Sequence, residues 1–176
     1  MEDLSLHILD IVENSVAAKA DKIEIRIFED KKKDLLSLEI IDNGVGMDKE
    51  TVKMALDPFY TSKTVRRCGI GLPLLSEAAK AANGHLSIKS KKGKGTMIKV
   101  DFQYSHIDRQ PLGDIAQTII TLIIGNCEID FIFVYKKNSH LYSLDTRKIK
   151  RQLNQTPINS PAGIRMVREH LKKIRK

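Results

Sequence analysis

The stretch Leu35-Leu-Ser-Leu-Glu-Ile-Ile-Asp42-Asn-Gly44-Val-Gly46 carries the strongest indication of the fold. Its apolar first half predicts a β-strand over residues 35–41, and its glycines predict a loop after Asp42. An Asn-Gly pair usually forms a hairpin turn, but the residues that follow are typical of a helix capped by Asp48, so no strand follows directly. Asp42 therefore ends a strand at a loop, where its carboxylate can accept hydrogen bonds from a ligand.

Before and after this stretch, the spacing of apolar residues predicts a series of helices and strands. Strands are predicted over residues 22–28, 35–41, 85–90, 96–103, 128–136 and 140–144. Helices are predicted over residues 2–20, 49–56, 72–82, 111–124 and 145–153, and from Ser160 towards the C-terminus. Residues 59–68, between the second and third helices, are predicted to form an irregular, basic and mobile loop.

Composition excludes several classes of protein. The 176 residues are 41% hydrophobic and 30% charged, which predicts a soluble folded chain rather than a disordered one. No apolar run approaches the roughly 20 residues that span a bilayer, and the acidic N-terminus is unlike a secretory signal. Two distant cysteines, Cys68 and Cys127, provide no disulfide framework and no zinc site. These features predict a cytoplasmic protein without a membrane partner.

Positive charge is concentrated near the C-terminus. Residues 136–176 contain 12 Lys and Arg against 2 Asp and Glu. This asymmetry is compatible with an acidic partner or nucleic acid, or simply with a solvated helix surface. On the last helix, Met166, Val167, His170 and Ile174 are expected to pack inward. No aromatic residue is interleaved with the helix's cations to stack on bases, so sequence-specific nucleic-acid binding is not expected.

Two polar residues on the first predicted helix are candidates for chemistry. Asp10 and Asn14 are four residues apart, so they project from the same side of the helix. A carboxylate can take a proton from water or a hydroxyl, and an amide oxygen can ligate Mg²⁺. Such a pair on a helix is more commonly just solvated.

Glycine motifs supply two further candidate segments. Gly69 and Gly71 precede a helix, where bare N–H groups and the positive end of the helix dipole favour phosphate, and Lys63 adds charge upstream. Gly95 and Thr96 enter a strand, where an ordinary glycine hairpin is the simpler interpretation. Each motif is weak alone, and neither is a complete dinucleotide fingerprint or a P-loop.

In this order, the segments resemble the GHKL ATPase superfamily, which includes histidine kinases, gyrase-type topoisomerases and mismatch-repair ATPases. Residues 10–14 are similar to its asparagine box, 42–46 and 69–72 to its glycine boxes, 57–63 to the start of a histidine-kinase lid, and 93–96 to its last glycine motif. Residues 71–102 resemble a histidine-kinase catalytic domain, whereas 13–20 look more like the mismatch-repair branch. The resemblance covers about residues 1–103.

The resemblance implies a fold and a ligand set. The expected fold is α/β (α+β), a two-layer sandwich of helices on a mixed, mainly antiparallel sheet, with a small α/β extension at the C-terminus. ATP and Mg²⁺ are the implied cofactors. The implied binding residues are Asn14 for Mg²⁺; Asp42 and Thr96 for adenine; Gly44 and Gly46 for the base pocket; and Lys63, Gly69, Gly71 and Leu72 around the phosphates. Asp10 is the implied catalytic base, although many relatives have the longer Glu there.

Two functions fit these observations. The first is a Mg·ATP-binding protein of histidine-kinase type that phosphorylates a separate protein or acts as an ATP-dependent switch. The alternative is an interaction protein whose nucleotide pocket is inert and whose basic C-terminal unit binds an acidic partner or nucleic acid. We predict an ATP-binding domain over residues 1–104 and a basic α/β extension over residues 105–176, with no recognisable phosphoacceptor module.

Overall fold

The computed structural model describes residues 3–57 and 71–172. The described helices are α1 (Leu4–Ala17), α2 (Lys49–Met54), α3 (Gly71–Ala81), α4 (Ile115–Gly125), α5 (Thr146–Leu153) and α6 (Pro161–Leu171). The strands are β1 (Lys22–Asp30), β2 (Leu35–Asp42), β3 (His85–Lys91), β4 (Gly95–Gln103), β5 (Asp130–Lys137) and β6 (His140–Asp145).

All six strands form one sheet in the order β3-β4-β2-β1-β5-β6. Neighbouring strands are antiparallel except β1 and β5, which run parallel with Ile25 opposite Phe133. The sheet is therefore mixed and mainly antiparallel, as expected. The strands after residue 104 extend the sheet formed by the earlier ones, through the pairing of β1 with β5.

One face of the sheet carries the hydrophobic core. Ile23, Ile25 and Ile27 alternate along β1 and are fully buried, whereas Arg26 on the other face is partly exposed. Helix α1 packs beside α3 and α4, and α6 contacts both α4 and α5. Helices cover the buried face, which confirms the two-layer α/β arrangement.

Polar side chains cross the opposite face of the sheet. Glu39 on β2 lies 3.5 Å from Arg26 on β1 and 3.3 Å from Lys99 on β4. Salt bridges between opposite charges on neighbouring strands contribute only modestly to the free energy of folding. Acidic or hydroxyl side chains cap the N-terminal ends of all described helices except α3, including Asp48 and Ser160 at the predicted positions.

The prediction for the last helix was partly wrong. Val167 is buried and Met166 is partly buried as expected, but His170 is exposed and Leu171 is buried in its place. Ile174 lies outside the described residues. The buried side of α6 is defined by Gly163, Val167 and Leu171, which recur every four residues and face the rest of the core. Within residues 3–57 and 71–172, every helix is too short or too polar to cross a membrane.

Candidate nucleotide-binding site

Asp42 is held at the end of β2 by two hydrogen bonds. Its Oδ2 atom accepts a 2.9 Å bond from the Ser15 hydroxyl on α1, and Oδ1 accepts a 2.9 Å bond from the backbone N–H of Gly44. The side chain is nearly buried. A carboxylate has about four lone-pair positions, so Asp42 can still accept a hydrogen bond from a ligand while the protein fixes its orientation.

Thr96 lies directly opposite Asp42, on the neighbouring strand β4. Its hydroxyl is 2.8 Å from the hydroxyl of Ser90 on β3. Ser90 also donates to the carbonyl of Gly95 at 3.0 Å and accepts from the N–H of Met47 at 2.7 Å. These contacts tie the loop after β2 to the β3–β4 hairpin, so that Asp42 and Thr96 share one corner of the sheet.

The roles of Ser15 and Ser90 were not predicted from the sequence. Ser15 lies in an otherwise apolar stripe of α1 and is itself buried, which is an unfavourable position for a hydroxyl unless it has a partner. A single hydroxyl within an apolar stripe was therefore the feature of the sequence that could have indicated a role for Ser15. For Ser90, the register that places it opposite Thr96 is not visible in the sequence.

Two glycines of this corner allow backbone segments to touch. A Cβ atom on Gly46, whose φ is +65°, would lie 2.1 Å from the carbonyl oxygen of Lys91. A Cβ atom on Gly95, whose φ is +89°, would lie 2.0 Å from the carbonyl oxygen of Asp42. A side chain at either position would separate the loops. Gly44 similarly faces the carbonyl of Ala18.

Asp10 and Asn14 lie half-buried on α1, and Asp10 faces the beginning of α3. A Cβ atom built on Gly71 would be only 2.9 Å from Oδ2 of Asp10, so glycine permits the close contact between the two helices. Leu72 is packed into the hydrophobic core. Lys63, Gly69 and the loop predicted over residues 59–68 lie outside the described residues.

The donor chemistry at Asn14 is compatible with Mg²⁺. Among residues 3–57 and 71–172, no group of three or more His, Cys, Asp and Glu side chains could hold a metal by itself. Mg²⁺ bound with a nucleotide usually takes only one or two protein oxygens, and its other ligands are phosphate oxygens and water. Asn14, half-buried on α1 one turn after Asp10, can supply such an oxygen.

His7 is a further polar residue near this site. It is buried, and its Nε2 atom lies 3.0 Å from Oε1 of Gln110. Burial lowers the pKa of the imidazole from its usual value. The imidazole therefore lies inside the protein rather than on its surface.

Comparisons with known proteins agree with this arrangement. Residues 2–106 match the family described as histidine kinase-, DNA gyrase B-, and HSP90-like ATPase. The sensor histidine kinase YxdK of Bacillus subtilis (strain 168) is 36% identical over 106 residues, which are 56% of this chain and 32% of YxdK. The chain thus aligns with about a third of that relative's length.

One solved structure supports the fold, and a second is similar over much of the chain at a lower TM-score. The N-terminal domain of a DNA repair protein superposes with a TM-score of 0.59 at 22% identity, covering 82% of this chain and 53% of that chain. The Aquifex aeolicus MutL ATPase domain complexed with ADP has a TM-score of 0.49 at 19% identity, over 80% of this chain and 63% of that chain.

The family match covers more than half of the chain and includes α1, the corner formed by β2 and β4, and the start of α3. It therefore supports ATP binding by this region. The chain belongs to the family of histidine kinase-, DNA gyrase B- and HSP90-like ATPases.

Proposed function

We propose that the chain binds Mg·ATP and acts as a protein of histidine-kinase type, either phosphorylating a separate protein or switching its state with the bound nucleotide. The observation that carries this proposal is the buried carboxylate of Asp42, fixed by Ser15 and Gly44 and placed opposite Thr96. A fixed hydrogen-bond acceptor at the end of a strand suits the exocyclic amine of adenine, because that amine is the hydrogen-bond donor of the base.

The phosphates would extend from this corner towards Asp10, Asn14 and the start of α3. The N-terminus of α3 offers backbone N–H groups and a positive dipole end. Mg²⁺, when bound, supplies neutralisation of phosphate charge, and the amide oxygen of Asn14 would hold it. Asp10 would accept the proton of the hydroxyl or water that attacks the terminal phosphorus of ATP, with ADP as the leaving group.

The same pocket can serve transfer or switching. Phosphoryl transfer depends mainly on positioning and charge neutralisation rather than on covalent chemistry by the protein. The relative YxdK is described as a sensor histidine kinase, and we propose by analogy a phosphoacceptor supplied by another protein in the cytoplasm.

Exposed cations of the C-terminal region favour an acidic protein as that partner. Arg147 and Lys150 are paired with Asp145 and Asp130. By contrast, further basic residues of the contacting helices α5 and α6 are exposed, namely Lys148, Arg151, Arg165 and Arg168. We retain the division near residue 104 as a proposal, with nucleotide binding before it and partner docking after it.

Calorimetric titration of Asp42→Asn with Mg·ATP tests the proposal. Asparagine preserves the size of the side chain and one acceptor oxygen, so the fold is expected to remain intact. Loss of a charge-assisted hydrogen bond should weaken binding by about 10–100-fold. Asp108→Asn, on an exposed loop, is the matched control. A folded Asp42→Asn protein with unchanged affinity would contradict the assignment.

A second assay separates the two uses of ATP. Purified protein is incubated with ATP labelled on the γ-phosphate, with and without acidic candidate partners. Labelled partner would indicate a kinase. Nucleotide-dependent complex formation without label would indicate a switch.

A further inference from the structure

A cavity lies on the face of the sheet opposite the helices. Its volume is about 290 Å³, and the half-buried apolar side chains of Phe28 on β1 and Leu35 on β2 line it. This volume is at the lower end of the range for small-molecule pockets. Ser37, also in the lining, precedes Asp42 by five residues on β2, which corresponds to about 17 Å along a strand. The cavity is therefore separate from the candidate nucleotide site.

Ser37 is a buried polar residue of this cavity. Its side chain is only 3% exposed, and its Oγ atom has no hydrogen-bond partner within residues 3–57 and 71–172. A buried hydroxyl without a partner is costly, and such atoms are rare in native proteins. Asp101, the register partner of Ser37 on β4, lies outside the lining, with its Oδ2 atom 3.9 Å from Nε2 of His85. A ligand in the cavity can therefore supply the hydrogen bond that Ser37 lacks.

The carboxylates of the lining already have partners in the protein. Glu29 accepts a hydrogen bond from the hydroxyl of Tyr135. Oδ1 of Asp30 accepts from two backbone N–H groups of the turn that follows β1, at 3.0 and 3.1 Å. Glu39 forms salt bridges with cations on both neighbouring strands. The negative charges of the cavity are thus engaged within the protein and are not left to bind a cation.

The groups of the lining that lack a partner are hydrogen-bond donors. Lys33 and Lys136 are exposed, and their ammonium groups form no ion pair in the part of the chain that the structure describes. Phe28 lies between Ser37 on β2 and Lys136 on β5 in the strand register. The long stem of a lysine can follow apolar surface while its charge remains at the end. An apolar surface therefore lies between a buried hydroxyl and a free positive charge.

We propose that this cavity binds a small organic anion, namely a carboxylate joined to an apolar body. The apolar body would pack against Phe28 and Leu35, and the carboxylate would accept hydrogen bonds from Ser37 and a lysine of the lining. A carboxylate offers about four lone-pair positions and no donor, which complements a site whose free groups donate. This second site does not depend on nucleotide binding.

Three related compounds test the inference on the unsubstituted protein. Phenylacetate carries both a carboxylate and an apolar ring, whereas phenylacetamide lacks the charge and acetate lacks the ring. In titrations followed by amide NMR, phenylacetate should bind with a Kd of about 1–10 mM, and the other two at least about tenfold more weakly. The largest shifts should occur in β1 and β2 beside Phe28 and Ser37.

Two results from these titrations would overturn the inference. One is equal binding of phenylacetate and phenylacetamide, which would show that the site does not select an anion. The other is the absence of shifts beside Phe28 and Ser37 at about 50 mM phenylacetate, a concentration well above the expected Kd.

Substitutions identify the groups that hold the anion. Ser37→Ala should weaken phenylacetate binding by about 3–10-fold, and Lys136→Gln by about threefold. Ser37→Ala should not lower the midpoint of thermal unfolding, because the hydroxyl has no partner in the free protein. Lys32→Gln, in the same turn as Lys33 but outside the lining, is the matched control and should change neither quantity. A Ser37→Ala protein with unchanged affinity would overturn the inference, whatever its stability.

Discussion

The hydroxyl oxygen of Ser15 lies 2.9 Å from Oδ2 of Asp42, so a hydrogen bond joins the last turn of α1 to the end of β2 inside the protein. The bond connects the helix that carries Asp10 and Asn14 with the strand that carries the proposed adenine-binding carboxylate. A hydrogen bond within the protein therefore fixes the two halves of the candidate site relative to one another, without a bound ligand.

Ser15→Ala should therefore affect both stability and binding. The substitution leaves one oxygen of a buried carboxylate without its donor, which should lower the free energy of unfolding by about 1–3 kcal/mol. Urea unfolding measures the loss of stability, and calorimetry with Mg·ATP measures a parallel loss of affinity. Ser143→Ala, at an exposed position on β6, should leave both unchanged. A Ser15→Ala protein as stable as the unsubstituted one would show that the bond is not required.

Gly46→Ala and Gly93→Ala form a matched pair for the corner around Asp42. Both glycines have positive φ angles, +65° and +74°, but only Gly46 faces a backbone carbonyl, and a Cβ on Gly93 meets no atom within 4 Å. Gly93→Ala should cost about 1–2 kcal/mol, the strain of a left-handed backbone. Gly46→Ala should cost about 3–5 kcal/mol, because the loops must also separate. Thermal and urea unfolding compare them, and similar losses would argue against the tight loop contact.

Asn14→Ala should weaken nucleotide binding only when Mg²⁺ is present. The amide oxygen is the proposed protein ligand, so its removal should reduce the enhancement of affinity by Mg²⁺ while affinity in a chelator stays the same. Calorimetric titrations with and without Mg²⁺ give the comparison. Glu13→Gln changes the exposed neighbouring residue and serves as the control. An equal loss in both conditions would assign Asn14 to nucleotide contact or to folding.

Asp145→Asn should destabilise the protein in a pH-dependent manner. Asp145 caps α5 and accepts hydrogen bonds from the Arg147 guanidinium, which lower the pKa of the carboxyl group in the folded protein. A depressed folded pKa gives stability that is present above the unfolded pKa of about 4 and is lost as the pH falls through the folded value.

Urea unfolding should therefore show a difference of about 1 kcal/mol between the unsubstituted protein and Asp145→Asn at pH 7. The difference should shrink progressively below about pH 4. A constant difference across this range would mean that the cap does not depend on the charge of Asp145.

Local sequence patterns contained most of the information about the fold. Apolar spacing predicted a strand over residues 22–28, and the structure confirms it as β1, with Ile23, Ile25 and Ile27 on its buried face. The pairing of β1 with β5 was not predicted, because it joins segments that are far apart in the chain and leaves no local signal. His170 was placed wrongly because a short helix with scattered apolar residues allows more than one buried side.

The candidate site was predictable to the extent that its residues lie in recognisable motifs. Asp42 and Thr96 come from two separate motifs, and the structure places them opposite each other. No role could be assigned from the sequence to Ser15, Ser90 or Gln110, because the function of a single hydroxyl or amide depends on its hydrogen-bond partner. Their partners lie 27, 6 and 103 residues away in the chain.

The parallel pairing of β1 with β5 also has a consequence for biosynthesis. Lys22 at the start of β1 pairs with Asp130 at the start of β5. One edge of β1 therefore stays unpaired until about 100 further residues have been translated. At about 5–20 residues per second, this corresponds to about 5–20 s during which the nascent chain exposes an unpaired strand edge. Ribosome-bound chains that stop before β5 should accordingly recruit chaperones or self-associate, whereas chains released after β6 should not.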